Sequence, residues 1–341
     1  MAIKVGVVGL GSMGWTHLDV YAKRDDVEVV AVADRDEDRL SGKVRAGGNI
    51  DGQAQGGFDI TKCKGYTDAA DLIKDPDIEV VDICLPTPAH LPFGVMALEA
   101  GKHLLMEKPL ARTTADAQKL VDAAAASDKL AMPAMCMRFW PGWTWLKEAV
   151  DNKTYGKVLG ATFQRRTSHP KGPFYASGEA CGGAALDLHI HDTDFIQYVF
   201  GTPKAVSSAG YAMATNEVDH IVTRYVYDDI PLVVAEGSWS LAEGYGFQMQ
   251  YTVNFENATA IFGNPNRAKD ESPLKLIESG KEAQLVEVDA GMGYDHEIAY
   301  FLDCVKSGRK PQTVTFADAA NAVRIVEAEV QSVRTGAQVA L

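Results

Sequence analysis

The chain has 341 residues, of which 46% are hydrophobic and 23% charged, an ordinary globular balance that argues against long disordered stretches and predicts two domains, each large enough for its own core. A formal charge of −13 repels phosphate backbones and anionic lipid, which argues against nucleic acid and membrane surfaces as partners, but not against a cofactor phosphate held locally by backbone amides. The five cysteines, Cys63, Cys84, Cys136, Cys181 and Cys304, are odd in number with no CxxC spacing, the N-terminus does not read as a signal peptide, and no apolar run approaches the roughly 18 residues of a membrane helix; a soluble protein of a reducing cytoplasm is expected.

Ile3 to Val8 is a short β-branched run and reads as a buried parallel strand. It leads into Gly9-Leu10-Gly11-Ser12-Met13-Gly14, then a helical pattern through Leu18 and Tyr21, then a second strand from Val27 to Ala33 that closes on Asp34. Strand, GxGxxG, helix, strand and acid in this register form a dinucleotide-binding unit. Gly9 makes the turn, Gly11 lets amides reach a pyrophosphate, Gly14 lets helix pack on strand, and Asp34 accepts from a ribose 2′-OH. Asp34 would repel a 2′-phosphate, so NAD is expected over NADP, although Arg35 beside it tempers that preference. Gly42 to Gly57 lacks periodicity and reads as a surface excursion.

A short helix is expected from Tyr66 to Ile73, capped by Thr67 or Asp68, followed by a strand from Val80 to Leu85 that stops at Pro86-Thr87-Pro88-Ala89-His90. Leu85, Thr87 and His90 sit at the carboxyl end of that strand, where open α/β sheets bind ligands, and are cofactor candidates. A helix from Leu91 to Ala100 and a strand from His103 to Met106 complete another βαβ unit ending in Glu107-Lys108-Pro109. Glu107 and Lys108 join the cofactor candidates. Lys108, at a strand end near a nicotinamide, could donate to a substrate oxygen and help an alkoxide form; a solvent-facing lysine is the plain alternative. A helix from Ala115 to Ala126, capped by Thr113 or Thr114, and a strand from Met132 to Cys136 follow.

The stretch from Gly182 to Phe200 reads as one helix entered from a glycine turn and closed by Gly201. On it Asp187 and His191 stand four apart on one face, a carboxylate beside an imidazole that would serve as an oriented general base; a plain surface pair is the alternative. His189 and His191 point to different faces of such a helix, so one metal ion could not readily use both, and no metal is expected. Beyond Gly201 the period turns to two. Phe247, Met249, Tyr251, Val253 and Phe255 alternate with polar residues as an antiparallel strand with one dry face, with Ile221 to Tyr227 and Leu232 to Ser240 as expected partners. A broad sheet carrying Trp239 and Tyr225 suggests subunit packing on one face, and Ala317 to Val333 is an amphipathic core helix.

Taken together, the glycine turn, Glu107-Lys108-Pro109 and the GGxxxDxxxHxxD pattern from Gly182 to Asp194 resemble the glucose-fructose oxidoreductase, inositol dehydrogenase and rhizopine catabolism protein family, the Gfo/Idh/MocA oxidoreductases. The resemblance covers nearly the whole chain, including Tyr294-Asp295-His296-Glu297 to Phe301 and the helix from Ala317 to Gly336. It implies an α/β protein: a Rossmann NAD-binding domain over 1–130, and an α+β domain over 131–341 with a large, mainly antiparallel open sheet for substrate binding and oligomerisation, its final helix free to pack back on the first domain. It also implies Lys108, Asp187 and His191 as the catalytic set, Asp194 as the last acid of the motif, and a Lys108-Pro109 bond of the kind often cis in relatives.

In relatives an Arg and aromatics lie near the nicotinamide or substrate. Arg138 is therefore a substrate candidate alongside Lys108, Asp187 and His191, with a plain salt bridge as its alternative. Arg166 and His169 close the strand expected from Lys157 to Arg166 and are further substrate candidates, with Tyr175 and Glu179 in the loop before the catalytic helix as possible specificity residues. His189 stands where many members have glycine, a departure that would let it reach substrate or a neighbouring subunit. Association through the sheet implies a homodimer or homotetramer. The resulting expectation is NAD-dependent hydride transfer to or from a secondary alcohol of a sugar or cyclitol. Alternatives are a glycosidase that oxidises transiently, a catalytically silent sensor of sugar and NAD, and a metal hydrolase using the two histidines.

Overall fold

The computed structural model describes residues 2–45, 57–263 and 272–341; the expected excursion from Gly42 to Gly57 lies mostly outside them. The chain divides into two compact units, Met1–Met135 with Tyr294–Asn321, and Cys136–Gly293 with Ala322–Leu341.

The first unit runs β1 (Ile3–Val8), α1 (Ser12–Tyr21), β2 (Val27–Ala33), α2 (Glu37–Leu40), β3 (Lys64–Tyr66), α3 (Ala69–Lys74), β4 (Val80–Ile83), α4 (His90–Glu99), β5 (His103–Glu107), α5 (Thr114–Ala126) and β6 (Ala131–Ala134). Its strands pair in the order β3-β2-β1-β4-β5-β6, every pairing parallel. That is the doubly wound dinucleotide-binding order, in which the sequence direction across the sheet reverses between β1 and β4 and opens a crevice at their carboxyl ends. β4 is buried along its whole length, as a central parallel strand covered on both faces must be. Asp68 caps α3, its side chain accepting from the Ala70 amide at 2.9 Å, and Thr113 caps α5 by accepting from the Asp116 amide at 3.1 Å.

The second unit opens with α6 (Trp143–Asp151) and β7 (Val158–Ser168), then α7 (Pro173–Ala176), α8 (Gly178–Cys181), α9 (Gly183–Asp187) and α10 (Ile190–Phe200). There follow β8 (Ala205–Tyr211), β9 (His220–Val226), β10 (Leu232–Leu241), β11 (Phe247–Phe255), β12 (Ala258–Phe262), β13 (Leu274–Glu278) and β14 (Gln284–Val286); the chain then returns to the first unit for α11 (Gly293–Ser307) and ends with α12 (Phe316–Thr335), most of it in the second unit, and β15 (Val339–Ala340). Nine strands form a sheet in the order β14-β13-β12-β11-β7-β10-β9-β8-β15, antiparallel except where β7 runs parallel to β10.

Two sequence expectations change here. β11 pairs with β7 and β12, not with β9 and β10, which pair with each other. A long-range strand inserted in the middle of the order is invisible to local alternation. Trp239 and Tyr225 are 0% and 1% exposed and so belong to the covered face of the sheet. That face packs around Trp143 of α6, whose ring meets Phe195 of α10 at 4.8 Å and Tyr251 of β11 at 5.3 Å. The other face is mixed: Leu159, Val222, Leu232, Ile277 and Leu285 are exposed, among polar contacts such as the Gln164 amide donating to Glu236 at 2.8 Å. Among the described residues no helix is long and apolar enough to cross a membrane.

Candidate active site

The glycine turn after β1 is shaped by close approach. Gly9 has φ +99°, and a Cβ on it would meet the Cys84 carbonyl oxygen at 2.6 Å; a Cβ on Gly14 would meet the Gly9 carbonyl oxygen at 1.8 Å. A Cβ on Gly11, by contrast, would meet nothing within 4 Å, so the backbone there is open to a ligand. α1 starts at once, with Gly11 as its cap, so the turn delivers its open backbone to a helix N-terminus, the kind of end that favours a phosphate. Asp34 follows β2, accepting from the Leu10 amide at 2.8 Å and from the Asp36 amide at 2.9 Å. Its carboxylate is thus fixed against the turn with lone pairs to spare for a ribose hydroxyl. Arg35 is exposed; the cation that reaches Asp34 is Arg39, at 3.5 Å, a residue that sequence reasoning missed. The residues present fit a dinucleotide.

Glu107 ends β5, and its Oε2 accepts the Lys108 amide at 2.9 Å. Lys108 is half-buried and its bond to Pro109 is cis. His90 differs from its expected place among the cofactor contacts. It is wholly buried, with Nδ1 2.8 Å from the Pro109 carbonyl oxygen and Nε2 2.8 Å from that of Leu85. Burial pulls its pKa down. The ring sits between the loop after β4 and the turn after β5, and in its neutral form its single N–H donates to one of these two carbonyls at a time. Thr87 is buried in the same loop and Leu85 half-buried.

In the second unit the expected single helix is two. α9 ends at Asp187 and α10 starts at Ile190. At the joint the His189 amide donates to the Ala184 carbonyl, a five-residue step at 2.8 Å, and the Asp192 amide donates to the His189 carbonyl, a three-residue step at 3.0 Å. Asp187 and His191, both half-buried, therefore flank a break in the helical ladder. Buried side chains hold the joint. Arg165 of β7 donates to Asp192 from Nε at 2.8 Å and from Nη2 at 3.1 Å, and burial raises the Asp192 pKa against the pull of Arg165.

His189 does not reach outward to substrate or to a neighbouring subunit. It is 0% exposed, with Nε2 3.1 Å from the Tyr225 hydroxyl and 3.5 Å from Glu329. The Thr193 hydroxyl donates to Glu329 at 3.1 Å. Burial, and then the charge of Arg165, pushes His189 down to about 3; burial pushes Glu329 up to about 8. At neutral pH the network is chiefly uncharged.

Arg138 donates to Asp194 from Nε at 2.9 Å and from Nη2 at 2.7 Å, both side chains being buried. Of its two readings the structure shows the salt bridge, with its fork committed to the acid. Arg166 lies on the opposite sheet face from Arg165, because successive strand residues alternate. It donates to Gln248 at 3.1 Å and lies 3.6 Å from Glu236, away from the face that packs on α9 and α10. His169 and Tyr175 meet on Trp239, with ring centroids at 5.3 and 6.0 Å, and Glu179 is exposed on α8.

A doubly wound sheet with a dinucleotide turn, joined in one chain to a second unit built on a mixed sheet, defines the class: a nucleotide-binding α/β protein of oxidoreductase type. Residues 3–135 match the model of the oxidoreductase family with an NAD-binding Rossmann fold, and residues 143–261 match the Gfo/Idh/MocA C-terminal domain. The chain belongs to the Gfo/Idh/MocA oxidoreductase family.

It is similar to myo-inositol 2-dehydrogenase of Thermotoga maritima, at 31% identity over 199 residues, a match spanning 58% of this chain but only 55% of that protein. Inositol 2-dehydrogenase of Salmonella paratyphi B is 27% identical over 98% of this chain and 96% of its own. Among solved structures, levoglucosan dehydrogenase in complex with NADH and levoglucosan has the same fold, with a TM-score of 0.85 at 20% identity over 100% of this chain and 99% of that one.

Proposed function

We propose that the protein oxidises a secondary alcohol of a sugar or cyclitol with NAD, or reduces the matching ketone. The observation that carries this reading is Lys108, set by Glu107 at a strand's carboxyl end in the same sheet as a glycine turn open to a dinucleotide. When bound, the nicotinamide accepts or returns the hydride. His191, oriented by Asp187, takes the hydroxyl proton as general base, and the Lys108 ammonium hydrogen-bonds the oxygen as it becomes an alkoxide. Arg138 is left out of the substrate set because Asp194 holds it.

NAD is preferred to NADP because the fixed Asp34 carboxylate would repel a 2′-phosphate, while Arg39 pairs with that same acid rather than standing apart as a phosphate ligand. All five cysteines are outside disulfides, which supports a reducing cytoplasm, and association through the open sheet face into a homodimer or homotetramer completes the reading. The names of the relatives support the substrate class. The test is a panel of myo-inositol, levoglucosan and aldoses with NAD and with NADP, followed by absorbance of the reduced nicotinamide. Reduction with a polyol and NAD is expected; no reduction with any of them, or sugar released from a glycoside without NADH, would overturn the reading.

A further inference from the structure

A group of ionisable side chains lies buried in the first unit around Glu107, and apart from Glu107 none of them has a part in the chemistry above. His17 of α1, three residues past Gly14, is 0% exposed. Its Nδ1 is 2.8 Å from Asp82 Oδ2 on β4. Its Nε2 is 3.3 Å from Glu107 Oε1 at the end of β5, close enough to pair by charge although not aligned as a hydrogen bond. Tyr21 donates to the same Asp82 oxygen at 2.8 Å, and Cys84 Sγ lies 3.5 Å from His17 Nδ1. Glu297 of α11 is wholly buried, within reach of the charges of His17, Glu107 and Asp82, and neither of its oxygens has a hydrogen-bond partner among the described residues.

Three carboxylates around one neutral imidazole in a dry core would be prohibitive. Two protons solve the problem. Burial raises the Glu297 pKa well above its ordinary value, so that acid is neutral. Burial pulls the His17 ring down, but Asp82, by its charge and its 2.8 Å contact with Nδ1, pulls it up, and the ring stands above its ordinary value. Burial likewise raises the Cys84 thiol, which stays protonated. The result is an imidazolium between two carboxylates. One of these carries the consequence, because the other oxygen of Glu107 accepts the Lys108 amide at 2.9 Å.

We propose that His17 is a positioning residue for Lys108: its ring, held between Asp82 and Glu107, fixes the carboxylate that receives the Lys108 amide and so ties the helix after the glycine turn to the strand end bearing the lysine. This rests on the role given to Lys108 under the proposed function. His17, Asp82 and Cys84 also place nitrogen, oxygen and sulfur atoms within 4.8 Å of one another, so a divalent cation is the rival way to neutralise the group.

The test begins on the wild-type protein. In histidine labelled with ¹⁵N, the ring signal lost in His17→Asn should show both nitrogens protonated at pH 8, and metal analysis should find no stoichiometric zinc. A neutral ring, or one zinc per chain, overturns the proposal. In ¹⁵N-lysine protein, the amide signal identified by its loss in Lys108→Arg should shift upfield in His17→Asn and again in His17→Gln, a second variant in case the first does not fold; an unmoved amide overturns it. With the best polyol of the panel, either His17 variant should lose about tenfold in kcat while NAD affinity stays within about threefold, and an unchanged kcat also counts against it. Failure of the functional reading would appear separately, as absent turnover in wild type, with the ring and amide signals still reporting on His17.

Discussion

The two units hold their candidate chemistry by opposite means. In the first, the backbone does it: Gly9 and Gly14 are packed against carbonyl oxygens, and Lys108 is placed by a strand end and by its own amide. In the second, Asp187 and His191 flank a broken helix, and buried side chains fix the joint, with Arg165 on Asp192, Arg138 on Asp194 and His189 on Tyr225. A backbone device fails when a side chain is added. A side-chain device fails when one is removed, because the partner is left charged or unsatisfied in a dry interior.

The largest expected effect breaks the second device. Arg138→Ala strands the Asp194 carboxylate and should cost about 3–5 kcal/mol, read from urea unfolding; a loss below about 1 kcal/mol would mean that the pair is not buried in solution. Next in size is a comparison of one residue from each unit. Lys108→Met and His191→Ala should each lower turnover by roughly 100-fold or more, with NAD binding, measured by calorimetry, largely kept. If only one of the two variants is impaired, the joint assignment of donor and base is wrong.

The same contrast explains what could be read from the amino acids alone. Glycines that admit no Cβ, as at Gly9 and Gly14, or that keep the backbone open, as at Gly11, leave a spacing, so these three and Asp34 were legible, as was the strand end at Lys108. The separation of Asp187 and His191 was legible too, but not the break between them. It accompanies contacts of His189 with Tyr225 and Glu329, which no local period reports. One signal was present: Gly237 interrupts β10, and a Cβ there would meet His189 Nδ1 at 2.7 Å, so that strand glycine makes room for the ring. Arg138 and Asp194 were both singled out, yet 56 residues apart nothing marked them as each other's partner. Arg166 was expected at the cleft as the end of its strand; the strand runs on to Ser168, and Arg166 meets Gln248 and Glu236, partners on neighbouring strands that no local pattern names. His17 went unnoticed because a histidine in a nucleotide-binding helix carries no pattern until Asp82 and Glu107 fold around it.

The uncharged network of the second unit makes a pH prediction of intermediate size. Glu329, raised from 4.5 to about 8, holds a proton in the folded state that the unfolded chain gives up, so it lowers stability as pH climbs from about 4.5 to 8. His189, lowered from 6.5 to about 3, binds a proton only when unfolded in that range, so it raises stability as pH climbs from about 3 to 6.5. The two slopes cancel between about 4.5 and 6.5, with a fall on either side. In Glu329→Gln the alkaline fall between pH 6 and 8 should be smaller by roughly 2 kcal/mol than in wild type. An identical fall in both proteins would show that Glu329 ionises normally.

The smallest expected effect concerns the backbone-built unit, where one side chain does matter. Asp34 accepts from the Leu10 amide and pairs with Arg39 at 3.5 Å, so it both fixes the turn and keeps a cation occupied. Asp34→Ser removes the charge that would repel a 2′-phosphate and releases Arg39 towards it. NAD affinity should fall modestly, and the ratio of kcat/KM for NADP to that for NAD should rise about tenfold, or roughly 1.4 kcal/mol. Adding Arg39→Ala should return most of that gain. If the ratio rises equally in the double variant, repulsion by Asp34 alone sets the preference and Arg39 is a bystander. If the ratio does not move at all, the ribose is not read by this acid, and the turn serves the pyrophosphate alone.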